Sequence, residues 1–328
     1  EEEARLTTGS GVMIPKKGLI EVNKFLDSKG AVQIGFKDNN LIIKNINQSI
    51  SALIRKNIHT VKLEEGAQFK SQKFVLPYND NRLIDSTIVQ IVSAVKTDSV
   101  RYIIQSLQDF ETRFLFASTR DSVANWIKAQ FLRWGYTDVV IDSFEYSGTW
   151  QKNVIATLPG QYNPDRINIV GGHHDSYSSG DPLVYAPGAD DNASGTSAVM
   201  EIARVLKEIN YQPESTIRFI TFAAEEYGLW GSKDYALKAY NSGMDINLMI
   251  NHDMISHTLS PVGNSSVDIN YYSGFEHLRD LAKNCTENYS ILSASNGSLN
   301  SSGSDSHSFW QLGFPSVYFE ESNFSPFY

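Results

Sequence analysis

The chain has 328 residues, 41% of them hydrophobic and 20% charged, with a formal net charge of −9. That length suits one large domain plus a small one, and the acidity argues against nucleic acid or an anionic membrane surface as a partner. No apolar run reaches the roughly 18 residues of a membrane-spanning helix, and the single cysteine, Cys285, excludes an internal disulfide or a cysteine metal site.

Residues 1–10 are acidic and polar and predict a frayed end. From Leu19 the apolar spacing (Leu19, Val22, Phe25, Leu26) predicts a helix. Val32–Phe36 alternates as a strand, Asp38-Asn39-Asn40 supplies turn chemistry, and Leu41–Ile43 pairs back. A second helix (Ile50, Leu53, Ile54) and a strand over 58–63 complete a small α+β module, residues 1–80, without catalytic clustering. Its pattern resembles the propeptides found ahead of secreted peptidases. A polar connector with a turn at Pro77–Asn81 follows, giving a linker over 81–95 and a large domain over 96–328.

The large domain opens with predicted helices at 97–108 and 119–134, the second closed by Gly135. Strands follow at 138–145 and 152–158. The apolar run Ile167–Val170 predicts a buried strand leading into Gly171-Gly172-His173-His174-Asp175-Ser176. Ala198, Ile202, Val205 and Ile209 mark an amphipathic helix. Strands Thr216–Phe222 and Ile246–Ile250 end in Ala223-Ala224-Glu225-Glu226 and Asn251-His252-Asp253. A late helix carries Cys285 as a small core residue, and a last strand spans Ser316–Phe319. This alternation predicts an α/β fold, a mostly parallel central sheet sandwiched by helices.

In such a sheet, ligands bind beyond the carboxyl ends of the strands. His173, Glu225, Glu226 and Asp253 all fall at those ends, and Asp190 and Asp191 lie just ahead of a helix. Imidazole and carboxylates gathered this way suit a divalent cation. Asp175, two residues after His173, is placed to hold the second ring nitrogen of a ligating imidazole.

The motifs GGHHDS, APGADDNASGTSAV, FAAEEYGLWGS, NHDM and GSDSHSFWQLGFP, in that order, resemble the zinc-dependent exopeptidases that include bacterial leucine aminopeptidases; glutamate carboxypeptidase and glutaminyl cyclase are relatives. The resemblance covers roughly residues 90–328. It implies two zinc ions per chain. Asp190 would bridge them, with His173 and Asp253 on one ion and Glu226 and a late histidine on the other. Glu225 would be the general base and Asp175 would orient His173. The resemblance also implies a cis peptide bond between Asp190 and Asp191. Relatives carry Ser-Asp-His where this chain reads Ser304-Asp305-Ser306-His307. An ungapped match puts Ser306 at the histidine position; a one-residue insertion restores His307, the favoured ligand. Relatives also continue past a segment like Ser325–Tyr328 into a further helix.

These readings imply an aminopeptidase acting on peptides, with apolar N-terminal residues expected, no nucleic-acid partner and no membrane insertion. A secreted or periplasmic location is expected, with any leader already removed. The alternatives are a carboxypeptidase, a glutaminyl cyclase, or a relative that kept only the fold. Absence of an Arg or Lys cluster near the motifs argues against the first, retention of His173 against the second, and intact acidic motifs against the third.

Overall fold

The structure, a computed structural model, describes residues 84–259 and 265–325 and, before them, the backbone of four strands. It divides into two compact units, Glu1–Arg82 and Leu83–Tyr328.

The first unit holds β1 (Gly11–Pro15), β2 (Gln33–Lys37), β3 (Asn40–Lys44) and β4 (Val61–Leu63). They form a sheet in the order β2-β3-β1-β4 with every pairing antiparallel. Strands β2 and β3 match the strands expected over Val32–Phe36 and Leu41–Ile43, and their register pairs Phe36 with Leu41. Strand β1 was not expected. The helices expected near residues 19–26 and 50–54 lie outside the described residues.

The second unit begins inside the expected linker. Helix α1 (Ser86–Ser93) starts at Asp85, whose Oδ1 accepts from the Thr87 amide at 2.7 Å, the usual N-cap bond. Helices α2 (Thr97–Gln108) and α3 (Arg120–Arg133) follow. Eight strands then build one sheet: β5 (Val139–Tyr146), β6 (Thr149–Leu158), β7 (Asn163–His173), β8 (Ser215–Phe222), β9 (Asp245–His252), β10 (Ser266–Tyr271), β11 (Ser293–Leu299) and β12 (Ser316–Glu321). Their order is β11-β10-β12-β9-β7-β8-β6-β5. The central run β12-β9-β7-β8 is parallel throughout. Antiparallel pairs close it on both sides, β8–β6 and β6–β5 on one, β12–β10 on the other. Helices α4 (Gly195–Glu208), α5 (Trp230–Ser242), α6 (Glu276–Tyr289) and α7 (Ser306–Gln311) complete the unit.

The period-2 alternation of the strands divides the core into two layers. Val154, Ala156, Val170 and Phe219 pack with Ile103, Val123, Phe131 and Met200 of α2, α3 and α4. Their neighbours Ile155, Ile169 and Ile220 point the other way, onto Tyr235 and Ala236 of α5 and Phe309 of α7. Both faces of the central strands are thus buried, which is why those strands read as continuous apolar runs. Cys285, expected in the core, is exposed on α6; the buried stripe of that helix is Leu278 and Ala282.

Candidate metal and active site

Because β7, β8, β9 and β12 run parallel, their carboxyl ends meet at one edge of the sheet. His173 is the last residue of β7. Strand β8 ends at Phe222, and the chain turns at Ala224, whose φ of 57° is left-handed. Strand β9 ends at His252, and Met254, with φ 50°, turns the chain just after Asp253. A non-glycine residue in this region costs energy and marks a site held by its surroundings. Here each such residue adjoins a carboxylate of the cluster, Glu225 or Asp253.

His173 is the centre. Its Nε2 lies 3.2 Å from Asp253 Oδ1, 3.3 Å from Asp191 Oδ1 and 3.8 Å from Glu225 Oε2. Its Nδ1 faces Asp175, 3.4 Å from Oδ1 and 3.2 Å from the main-chain oxygen. Asp175 also accepts from the amides of Glu225 (3.0 Å) and Glu226 (3.3 Å), so one carboxylate positions both the imidazole and the paired glutamates. Potential ligand atoms of His173, Glu225 and Asp253, and of His173, Asp191 and Glu226, lie within 4.8 Å of one another in each group.

The electrostatics are those of a site made for a cation. Burial pushes Glu226 up to about 8, with Asp191 adding to the effect. Burial also raises Glu225 well above the carboxylate range, opposed by His173 and reinforced by Asp253. Burial opposes charge on His173, yet Asp253 and Glu225 outweigh it and raise its pKa. For Asp175, burial is outweighed by His173 and the Glu225 amide, which hold it below its ordinary value. Buried carboxylates facing one another are costly unless positive charge is shared among them. An imidazole with several carboxylates is a donor set that zinc takes readily, so the residues fit the ion the motifs implied.

Two of the expected ligands, Asp190 and His307, lie apart from His173. Asp190 does not face His173: its Oδ1 accepts from the Ser256 amide (3.0 Å) and hydroxyl (2.7 Å). Asp191 takes the place beside His173 instead. Both sit in the irregular turn Ala189–Ser194, where successive side chains diverge, so only one of the pair reaches the cluster. The cis peptide bond joins Asp191 to Asn192, one residue later than expected. His307 is not among the described residues brought to the cluster. It lies in the first turn of α7, half-buried, with its ring against Tyr272 (6.3 Å between centroids) and Trp310 (5.4 Å). Helical geometry turns Asp305 and Ser306 inward and His307 aside. Ser306 bonds the Tyr272 hydroxyl, and Asp305 is fully buried, pushed up to about 7 by burial.

Two further histidines near the strand ends, His174 and His252, are held away from the cluster. His174 is buried against Thr221 Oγ1 and is lowered to about 4 by burial; His252 stacks on Phe319 and is likewise lowered to about 4. Two contributors escaped sequence reasoning. Ser304 donates to Asp253 Oδ2 at 2.5 Å. Arg113, 1% exposed, donates to the main-chain oxygens of His174, Leu107, Pro187 and Gly188. It thereby ties the loop ahead of Asp191 to the end of β7. Arg113 sits in no recognisable motif, and Ser304 lies in the fifth motif, where attention went to the histidine position and not to the serine.

Known proteins resemble this chain in sequence and in fold. The chain is 33% identical over 207 residues to a probable zinc metalloprotease of Pyrenophora teres f. teres, covering 56% of the chain and 44% of that protein. It is 28% identical over 232 residues to leucine aminopeptidase 1 of Metarhizium robertsii, covering 67% and 58%. The chain spans less than half the length of the probable zinc metalloproteases it matches. In fold it resembles the Legionella pneumophila LapA aminopeptidase, with a TM-score of 0.65 at 18% identity over 98% of this chain and 90% of that one. An aminopeptidase from Aneurinibacillus sp. strain AM-1 gives 0.57 at 18% identity over 74% and 89%. The sequence model for peptidase family M28 matches residues 153–328, more than half of the chain and every residue of the His173 cluster; the chain belongs to that family.

Proposed function

We propose that this chain is a zinc aminopeptidase that hydrolyses the N-terminal peptide bond of peptides with apolar N-terminal residues. The observation that carries this reading is the ring of Asp253, Asp191 and Glu225 around His173 Nε2, with Glu226 beside them. His173, Asp253, Asp191 and Glu226 would hold zinc, with His173 common to both groups of potential ligands and Asp191 and Asp253 facing the same ring nitrogen. Bound zinc supplies Lewis acidity, polarising the scissile carbonyl and making water acidic enough to attack near neutral pH. Asp175 fixes the His173 ring and both glutamate amides. Glu225, raised in pKa and bound through its amide to Asp175, takes the proton from the attacking water and returns it to the leaving amine.

A carboxypeptidase would need a cation for the substrate's terminal carboxylate. Arg113 is the buried cation at this site, and its donors are taken by main-chain oxygens. Action outside the cytoplasm belongs to the same reading. Among the described residues no helix is long and apolar enough to cross a membrane.

Glu225→Gln tests the mechanism. It is expected to keep its zinc, measured by elemental analysis, and to lose about 100- to 10,000-fold in turnover of an aminoacyl p-nitroanilide. Unchanged turnover would remove Glu225 from the role.

A further inference from the structure

Six aromatic rings gather around the segment that leads into Glu225 and Glu226: Phe114, Phe116, Tyr146, Tyr177, Tyr227 and Trp230. Phe114 lies 5.4 Å from Tyr227, 5.6 Å from Phe116 and 6.3 Å from Tyr177, centroid to centroid. Tyr177 and Tyr227 are 6.0 Å apart, Phe116 and Tyr227 6.2 Å. Phe116 stacks on Tyr146, which lies 4.8 Å from Trp230. Phe114 is buried and packs with Leu115, Phe144, Ala223 and Ala224, so it serves the core. The outer rings differ: Phe116 is 36% exposed, Tyr177 42% and Tyr227 41%. Contiguous exposed aromatic surface is uncommon on a soluble fold and usually marks a contact site.

The tethering of these rings decides what the contact is. Tyr227 directly follows Glu226, and Tyr177 is two residues beyond Asp175, whose carboxylate bonds the Glu225 and Glu226 amides. The two loops are locked together at the cluster, so the rings cannot be placed independently of it. A molecule with its reacting bond at His173 and Glu225 therefore has this wall beside it. Phe116, Tyr177 and Tyr227 are themselves uncharged, with Lys233 Nζ 5.6 Å over the ring of Trp230 at the far end of the group, while the neighbouring cluster is rich in carboxylates. That combination favours an apolar side chain and repels an acidic one.

We propose that Tyr177, Tyr227 and Phe116 form the wall of an apolar subsite that receives a side chain flanking the scissile bond of the peptide substrate. The inference rests on the peptidase reading above and adds the residues that set its specificity.

The test uses the zinc-loaded full chain, the double variant Tyr177→Ser/Tyr227→Ser, and dipeptides carrying Leu, Phe or Gly at the first or second position. The double variant is expected to lose roughly 10- to 100-fold in kcat/KM for Leu and Phe at one of the two positions. Its glycine substrates should stay within about twofold, and Tyr177→Phe/Tyr227→Phe should restore selectivity. An equal fall for all substrates, or no fall for any, overturns the proposal. Phe116→Ser alone, at an exposed ring, should lower the same apolar-to-glycine ratio by about threefold or more, and an unchanged ratio also counts against the subsite. Calorimetry on zinc-loaded Glu225→Gln separates the two readings. Preference for a Phe-containing dipeptide over glycylglycine, abolished by the wall variants, supports the subsite even where the unmodified chain cleaves no peptide, an outcome that overturns only the peptidase reading.

Discussion

Adjacent residues in this site have different fates, and the backbone decides which. Asp190 and Asp191 are chemically the same, yet Ser256 holds the first and His173 faces the second. Asp191→Asn should release metal, because it removes a charge from the cluster; Asp190→Asn should keep it. Elemental analysis after dialysis of both variants checks this, and equal metal loss would show that the two carboxylates share the task. His307→Ala should likewise leave metal content unchanged, since its ring packs on Tyr272 and Trp310. That Glu225, Glu226, Asp175, His173 and Asp253 gather at one place was legible, because each ends or follows an apolar strand. That Asp191 and not Asp190 faces His173, and that the His307 ring packs on Tyr272 and Trp310, were not. They depend on the irregular turn Ala189–Ser194 and on the first turn of α7, and one-residue shifts in such turns leave no periodic trace.

At the level of elements, the site is an assembly of strand ends held in register by what lies beneath them. Helix α4 begins almost against β9: a Cβ on Gly195 would sit 2.2 Å from the His252 oxygen, so only glycine permits this approach. Arg113 does the corresponding work on the other side, joining β7 to the loop ahead of Asp191. Burial lowers its pKa to about 10, still far above neutral, so it remains charged. Arg113→Leu leaves those oxygens without their donor in a buried place. It is expected to cost on the order of 3 kcal/mol, since an unsatisfied buried polar group costs roughly 1–3 kcal/mol. Urea unfolding measures it, and a change below about 0.5 kcal/mol, the range of ordinary surface substitutions, would mean the loop is held by other contacts. Of the elements, the central strands and α2 to α4 were legible from apolar periodicity. Strand β11 (Ser-Ala-Ser-Asn-Gly-Ser-Leu) was not: it is a polar edge strand whose pairing comes from β10, not from its own pattern.

For the whole second unit, the carboxylate cluster links stability to pH. Glu226 is pushed up to about 8 by burial and by Asp191, and Glu225 is raised as well. In the metal-free protein these groups bind protons more tightly folded than unfolded. Their contribution is therefore fully present below the unfolded carboxylate range and is lost as pH rises toward 8. Bound zinc would supply the missing positive charge. The difference in melting temperature between zinc-loaded and chelator-treated protein should therefore widen from pH 6 to pH 8. A difference that is flat or narrows over that interval would mean that the cluster is not where metal and protons compete. The small first unit carries none of the cluster residues, and its four described strands pair among themselves in the order β2-β3-β1-β4.

The sequence by itself determined the class of fold, the strand ends that carry chemistry and the kind of ion they suit. Each of these is written in local pattern: apolar runs that can only be buried, followed at once by His, Asp or Glu that such runs cannot absorb. The tertiary structure alone decided which of two adjacent aspartates faces His173, that Arg113 and Ser304 support the site, and that rings from separate segments meet in one wall. Those outcomes depend on contacts between residues far apart in the chain, and on turns where rotation by one residue exchanges an inward side chain for an outward one.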